Sequence, residues 1–333
     1  MEARRFTRRE FLAGAALAAS GLIGPGAHAQ EIRHWWRQRT PPPSPVAVVR
    51  TDDRMAGIRQ AIKLLNVNPV AGKDVLLIPD LESRAPYPMT THLDTLAALS
   101  QALWDLRAES VTIGAQSSAL PTKDALAASG LYDRLEQIEA RLLNIEELGF
   151  AEWIKVDSSG GQWRRGFHLA RPVLQSPCVV TACGLRTNAK GDLGMSLWLA
   201  TNLLPKRDVL DRLELEQSAH PGRLVAELNQ GYRPSLIVVD GLEAVIDPKL
   251  PRIHRGARLI LAGTDRVAVD AAGAAALMLL GAQLGQKIFE LEQIAWALIL
   301  RVGISRPSQI TLVAADADSQ AFADQLTERL ARG

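Results

Sequence analysis

Apolar residues change their period repeatedly along the chain, and the changes mark out short strands alternating with amphipathic helices. The β-branched run 46–49 is followed by Asp52 and Asp53, either of which can cap a helix carrying Ile58, Ile62 and Leu65 at helical spacing. A second apolar run, 75–78, stops at Pro79-Asp80. Thr91-His92-Leu93-Asp94 has the form of a capping box, after which Leu93, Leu96, Leu99, Leu103 and Leu106 repeat on one helical face. Strand 111–113 then runs into the turn Gly114-Ala115-Gln116-Ser117-Ser118.

The pattern is less regular from 142 to 171, where Ser158-Ser159-Gly160-Gly161 reads as a turn between short strands. Val173-Leu174 and 178–182 read as strands, the second leading into Gly184-Leu185-Arg186-Thr187-Asn188. A helix over 196–204 stops at Pro205, and another closes at 226–229. Leu236-Ile237-Val238-Val239 is the plainest strand and ends at Asp240-Gly241. Strand 259–262 precedes Asp265, which suits the cap of an Ala-rich helix over 267–280. Residues 287–301 are helical by period, and 310–313 and 321–330 supply a last strand and helix.

This alternation predicts an α/β fold with a mainly parallel sheet and helices on both faces. The chain is long enough for two lobes, 46–140 and 141–333, with a cleft between them. Ligands of such sheets sit outside the carboxyl ends of the strands, which singles out Asp80 and the 114–118 turn.

The first residues carry a different kind of information. Arg8 and Arg9 precede Phe11 and Leu12, an apolar run extends to Ile23, and Ala27-His28-Ala29 closes it. Residues 1–29 therefore read as a twin-arginine export signal, cleaved after Ala29. The apolar run is shorter than the roughly 20 strongly apolar residues of a membrane span, so no permanent anchor is expected. The address implies the twin-arginine translocase as a partner during export, and a periplasmic destination. Residues 30–45, with Trp35, Trp36 and Pro41-Pro42-Pro43, read as a stiff Pro-rich lead-in to one α/β domain, 46–333.

Composition narrows the partners. Of 333 residues 47% are hydrophobic, enough for a sizeable core. The chain has 38 basic and 36 acidic residues, of which four and two lie in the signal, so 34 of each remain and no global basic field is left to attract nucleic acid. Cys178 and Cys183 lie in one apolar run, and residues five apart on a straight strand face opposite ways, which predicts two buried thiols. Two cysteines are too few for an iron–sulfur cluster or a structural zinc site, and no H-x3-H or H-E-x-x-H spacing occurs. No cofactor is pointed to.

Several segments, taken in order, resemble the domain-of-unknown-function 362 family. Leu77-Ile78-Pro79-Asp80-Leu81 is similar to its K-P-N-L segment, and Ile113-Gly114 with Ser117-Ser118 to its glycine-serine turn. Val238-Val239-Asp240-Gly241 is similar to its V-D-G, and Asp265-Arg266-Val267-Ala268-Val269-Asp270 to its D-P-V-A-V-D. The likeness covers about residues 46–281. The chain departs from the family where Ile78 and Asp80 replace Lys and Asn, where Leu185-Arg186-Thr187-Asn188 stands for L-K-T-H, and where Thr201-Asn202 stands for K-N. Two lysines and a histidine are thereby lost without a basic replacement, Arg186 in place of a third lysine is the one basic residue left at those places, and the cysteine-rich segments of many members are absent. The resemblance implies no particular activity.

The candidate chemistry rests on seven residues. Asp80 and Asp240 sit at strand ends, where a carboxylate can bind a ligand, accept a proton or simply form a turn. Arg186 can clamp a carboxylate or phosphate with two parallel hydrogen bonds, or be a salt-bridged loop residue. Thr91 and His92, beside Thr90, can present hydroxyls, N–H groups and an imidazole to an anion at a helix N-terminus, although a capping box explains Thr91 without a ligand. Ser117 lacks the G-x-S-x-G context of a nucleophile and suits a turn or cap. Asp270, one turn into its helix, is either a buried hydrogen-bonded carboxylate or a catalytic one. The first expectation is a small-anion binding or accessory protein. The alternative is an enzyme acting on a small anionic metabolite in an inter-lobe cleft with Asp80, Arg186, Asp240 and Asp270.

Overall fold

The computed structural model describes residues 42–81, 86–118, 120–157, 161–188, 192–206, 209–247 and 252–332. All but Pro42 belong to one compact unit, Pro43–Gly333. The expected export signal, residues 30–41 of the lead-in and residues 158–160 of the expected turn lie outside the described residues.

In chain order the elements are β1 (Ser44–Arg50), α1 (Arg54–Leu64), β2 (Asp74–Pro79), α2 (Leu93–Asp105), β3 (Ser110–Ala115), α3 (Thr122–Ser129), α4 (Leu131–Ile138), β4 (Arg141–Asn144), β5 (Trp153–Val156), β6 (Phe167–Ala170), α5 (Arg171–Gln175), β7 (Cys178–Arg186), α6 (Val209–Gln217), α7 (Pro221–Leu228), β8 (Leu236–Asp247), β9 (Arg252–Gly263), α8 (Arg266–Leu279), α9 (Glu292–Leu300), β10 (Ile310–Ala314) and α10 (Ala317–Arg332). Eight strands form one sheet in the order β10-β1-β9-β8-β7-β2-β3-β4, and β5 and β6 pair separately. Neighbours in the large sheet are parallel except on the two sides of β9.

Side chains alternate between two cores, as a period of two demands. Along β7, Cys178, Val180 and Ala182 enter one core while Val179, Cys183 and Leu185 enter the other. The two cysteines are therefore free, buried and on opposite faces. Ile58 of α1, Leu96 and Leu99 of α2 and Leu131 of α4 cover the first face. Leu224 of α7, Val267 of α8, Ile294 of α9 and Leu326 of α10 cover the second. A mainly parallel sheet with helices on both faces follows directly.

The expected division into two lobes is not found. β1 lies between β10 and β9, and β2 and β3 lie between β7 and β4, so strands from 46–140 and 141–333 share one hydrogen-bonded sheet. No inter-lobe cleft can open at residue 140 without breaking that sheet. Val173-Leu174 belongs to helix α5, where Pro172 occupies the first turn, rather than to a strand. The segment expected as a helix over 196–204 is a 3-10 run, Trp198–Leu203. β8 does not end at Asp240: an irregularity between Gly241 and Glu243 lets it continue to Asp247 as a hairpin with β9. Among the described residues no helix is long and apolar enough to cross a membrane.

Candidate functional site

The carboxyl ends of β2, β7 and β8 lie side by side, which is where a parallel sheet presents ligands. Asp80 follows β2 directly, and its N–H donates to Ala182 O (3.0 Å) and to Thr91 Oγ1 (2.8 Å). Thr91 Oγ1 in turn donates to Ala182 O (2.9 Å), and Thr91 N–H to Asp80 O (2.9 Å). Thr91 thus staples its segment to the ends of β2 and β7 and does not form the expected capping box. Helix α2 is capped instead by His92, whose Nδ1 accepts from Asp94 N–H (3.0 Å).

Arg186 is the last residue of β7, not a loop residue beyond it. Its Nε and Nη2 reach Asp80 Oδ2 at 3.0 and 2.7 Å, and Asn202 Nδ2 reaches Asp80 Oδ1 at 3.3 Å. All three side chains are buried. Gly194 faces them because a Cβ there would lie 2.5 Å from Arg186 Nη1.

Asp240 heads a second, separate group. It is fully buried and accepts from Arg54 Nε (2.7 Å), Tyr87 Oη (2.9 Å), Leu242 N–H (3.2 Å) and the Thr95 hydroxyl. Tyr87 Oη also accepts from Glu243 N–H (2.8 Å). Burial opposes the Arg54 charge, but Asp240 and Tyr87 together hold its guanidinium above the ordinary value. Burial and the Asp240 carboxylate push the Tyr87 phenol well up. The Arg54 guanidinium lies 4.8 Å from the Tyr87 ring centre, and His92 packs edge-on against that ring at 5.3 Å.

His92 is partly exposed, and burial followed by the nearby Arg54 charge lowers its pKa. Because Nδ1 is used as the helix cap, the neutral ring carries its proton on Nε2. Next to it Asp94 accepts from Arg134 Nη2 (2.9 Å), a bond that keeps its carboxyl below the usual range.

Asp270 stands apart from both groups. Its two oxygens accept from Ser196 N–H and Leu197 N–H, each at 2.9 Å, yet complete burial still pushes its carboxyl up to about 7. Asp265 caps α8 as expected, accepting from Val267 and Ala268 N–H at 3.0 Å. Ser117 is a turn residue: its N–H donates to Thr122 Oγ1 (3.0 Å) and its Oγ accepts from Leu120 N–H (3.2 Å).

The residues expected in one open cleft therefore fall into three buried groups: Asp80 with Arg186, Asp240 with Arg54, and Asp270 with backbone amides. Asn202, Arg54, Tyr87 and Thr95 complete these groups and carried no local signal, apart from the match of Asn202 to a family asparagine. Surface depressions of about 390 and 550 Å³ occur elsewhere, lined by residues such as Trp104 and Arg141, and Lys287 and Arg329. None of the candidate residues lines either. Among the described residues no cluster of three or more His, Cys, Asp or Glu side chains is placed to hold a metal ion.

Residues 75–275 match the family profile of a domain of unknown function, DUF362. The chain belongs to that family. The DUF362 match contains Asp80, Arg186, Asn202, Asp240 and Asp270, so all three buried groups draw on the family's own region. No curated protein matches the chain. Among solved structures, the lactate racemase apoprotein from Thermoanaerobacterium thermosaccharolyticum is similar with a TM-score of 0.41 and 9% identity, over 66% of this chain and 54% of that one. The chain thus spans about half the length of that protein.

Proposed function

We propose that this DUF362 protein is exported to the periplasm and there binds a small anion without turning it over. The observation that carries the reading is the contrast between the two arginine-paired buried carboxylates and the rim beside them. Asp80 and Asp240 are each neutralised by an arginine and further held by hydrogen-bond donors, which leaves neither free to act on a substrate. At the rim, His92 Nε2–H has no acceptor among the described residues at the start of α2, within electrostatic reach of Arg54 and Arg134 and of the Asp94 and Asp240 carboxylates they pair with. A small oxyanion gains there from a helix N-terminus and a neutral imidazole donor, with Arg54 and Arg134 offsetting the Asp240 and Asp94 carboxylates they pair with.

Calorimetric titration of residues 30–333 with inorganic phosphate and with sulfate tests this. Saturable heat is expected, weakened several-fold in His92→Ala and in Arg134→Ala. No saturable heat into the millimolar range, or binding unaffected by both substitutions, would remove the reading.

A further inference from the structure

The eight-stranded sheet ends in two unlike edges. β4 bounds one side and opens with the exposed Arg141, a charge of the kind that discourages another strand from pairing there. β10 bounds the other side. It reads Ile310-Thr311-Leu312-Val313-Ala314 and pairs with β1 in unbroken register. Charge, proline and bulge, the devices that blunt such an edge, are all missing from it. Among the described residues no strand covers its outer side.

The pattern along β10 fits a second copy of itself. Ile310, Leu312 and Ala314 pack on the core that α10 covers, so Thr311 and Val313 face the other way. An antiparallel pair with a two-fold axis at Leu312 sets Leu312 opposite Leu312, Ile310 opposite Ala314 and Thr311 opposite Val313. Every residue then stays on its own face, whereas a slip of one residue would mix the faces. Charge agrees with this direction. The exposed Arg306 precedes the strand and the exposed Asp316 and Asp318 follow it, so antiparallel pairing brings the arginine end of each copy to the aspartate end of the other. A parallel pair would set like charges side by side.

We infer that β10 is a dimer interface, at which two copies of this chain join their eight-stranded sheets through an antiparallel seam across a two-fold axis. Five residues of edge are short against the roughly 1,600 Å² of a standard interface, so the dimer is reversible at micromolar concentration. The seam takes no residue from the His92 rim, so it stands or falls apart from anion binding there.

Sedimentation velocity of residues 30–333 from low to high micromolar concentration tests this, with hydrogen exchange measured at both ends of the range. The expected result is a monomer–dimer equilibrium in which the outward-pointing amides of 310–314 exchange more slowly at the higher concentration. Arg306→Glu and Asp318→Arg, both at exposed positions outside the strand, should each weaken the dimer several-fold, and the double reversal Arg306→Glu/Asp318→Arg should restore it. Thermal midpoints taken at low concentration check that each variant is folded. A monomer throughout, or a dimer whose 310–314 amides exchange alike at both concentrations, overturns the proposal. So do single reversals that leave dimerisation unchanged, or a double reversal that does not rescue it. Outward amides already protected in the monomer would show the edge to be covered from within the same chain, which overturns it as well.

Discussion

Arg186 and Asp80 form a buried ion pair, with Nη2 and Oδ2 2.7 Å apart. Removing one partner of a buried pair strands a charge, at a cost of about 3–5 kcal/mol, whereas removing both leaves mainly a packing defect. Arg186→Met and Asp80→Asn should each fall in that range by urea denaturation, and the double substitution should cost clearly less than their sum. Additive losses would show that the two side chains do not depend on each other. Asp270 gives a second prediction. Its carboxyl is raised from 3.8 to about 7, so the folded state holds a proton that the unfolded chain has already released. The stabilisation linked to that proton is complete below pH 3.8, declines as pH rises, and is gone above about 7. The span corresponds to about 4 kcal/mol. Asp270→Asn cannot titrate and leaves one of the two amides, Ser196 or Leu197, without its acceptor. It should be the less stable protein at pH 4, with the gap to wild type narrowing by a few kcal/mol toward pH 7. Parallel stability curves would refute the assignment.

At the scale of elements, local chemistry decided what the sequence could reveal. Asp53 accepts from Ala56 N–H at 3.0 Å, so Asp53→Ala should cost about 1 kcal/mol in urea denaturation, and no loss would mean that the cap is idle. That cap, the Asp265 cap and the apolar runs of β1, β2, β3 and β8 were legible because each is set within a few residues. Thr91 was misread because a Thr-x-x-Asp spacing is the same whether the hydroxyl faces its own helix or a strand end. The continuation of β8 past Asp240 was hidden by Gly241, which reads as a stop but here permits a bulge. Helices α3 and α4 leave only Ala125, Leu126, Leu131 and Ile138 as buried apolar anchors, too few for a clear period. The site was legible as separate candidates and not as pairs. Asp80 and Arg186 are 106 positions apart, and Arg54 and Asp240 are 186 apart, distances at which nothing local records a contact. The family-like segments named Asp80, Arg186 and Asn202, but only the sheet order β7-β2 brings Asp80 and Arg186 together, and the 3-10 run 198–203 adds Asn202.

For the whole molecule, the buried thiols offer a way to read how the chain reaches its destination. Cys178 and Cys183 face opposite cores of the sheet, and burial pushes both thiols above the ordinary value. A chain that folds before export carries them into an oxidising compartment already out of reach of each other and of oxidants. A chain threaded unfolded exposes two cysteines close in sequence before any sheet separates them, and can bridge them. Twin-arginine export therefore predicts periplasmic protein beginning at Gln30 with two free thiols that react with a maleimide only after denaturation. Arg8→Lys/Arg9→Lys should leave the full-length chain in the cytoplasm. Replacing residues 1–29 with a signal for unfolded export should yield a fraction that carries an internal disulfide and fails to refold until reduced. Mass spectrometry of thiol-labelled periplasmic and cytoplasmic fractions separates these outcomes. Periplasmic accumulation of the Lys-Lys variant, or a disulfide in the wild-type product, would show that the chain does not travel folded along the twin-arginine route.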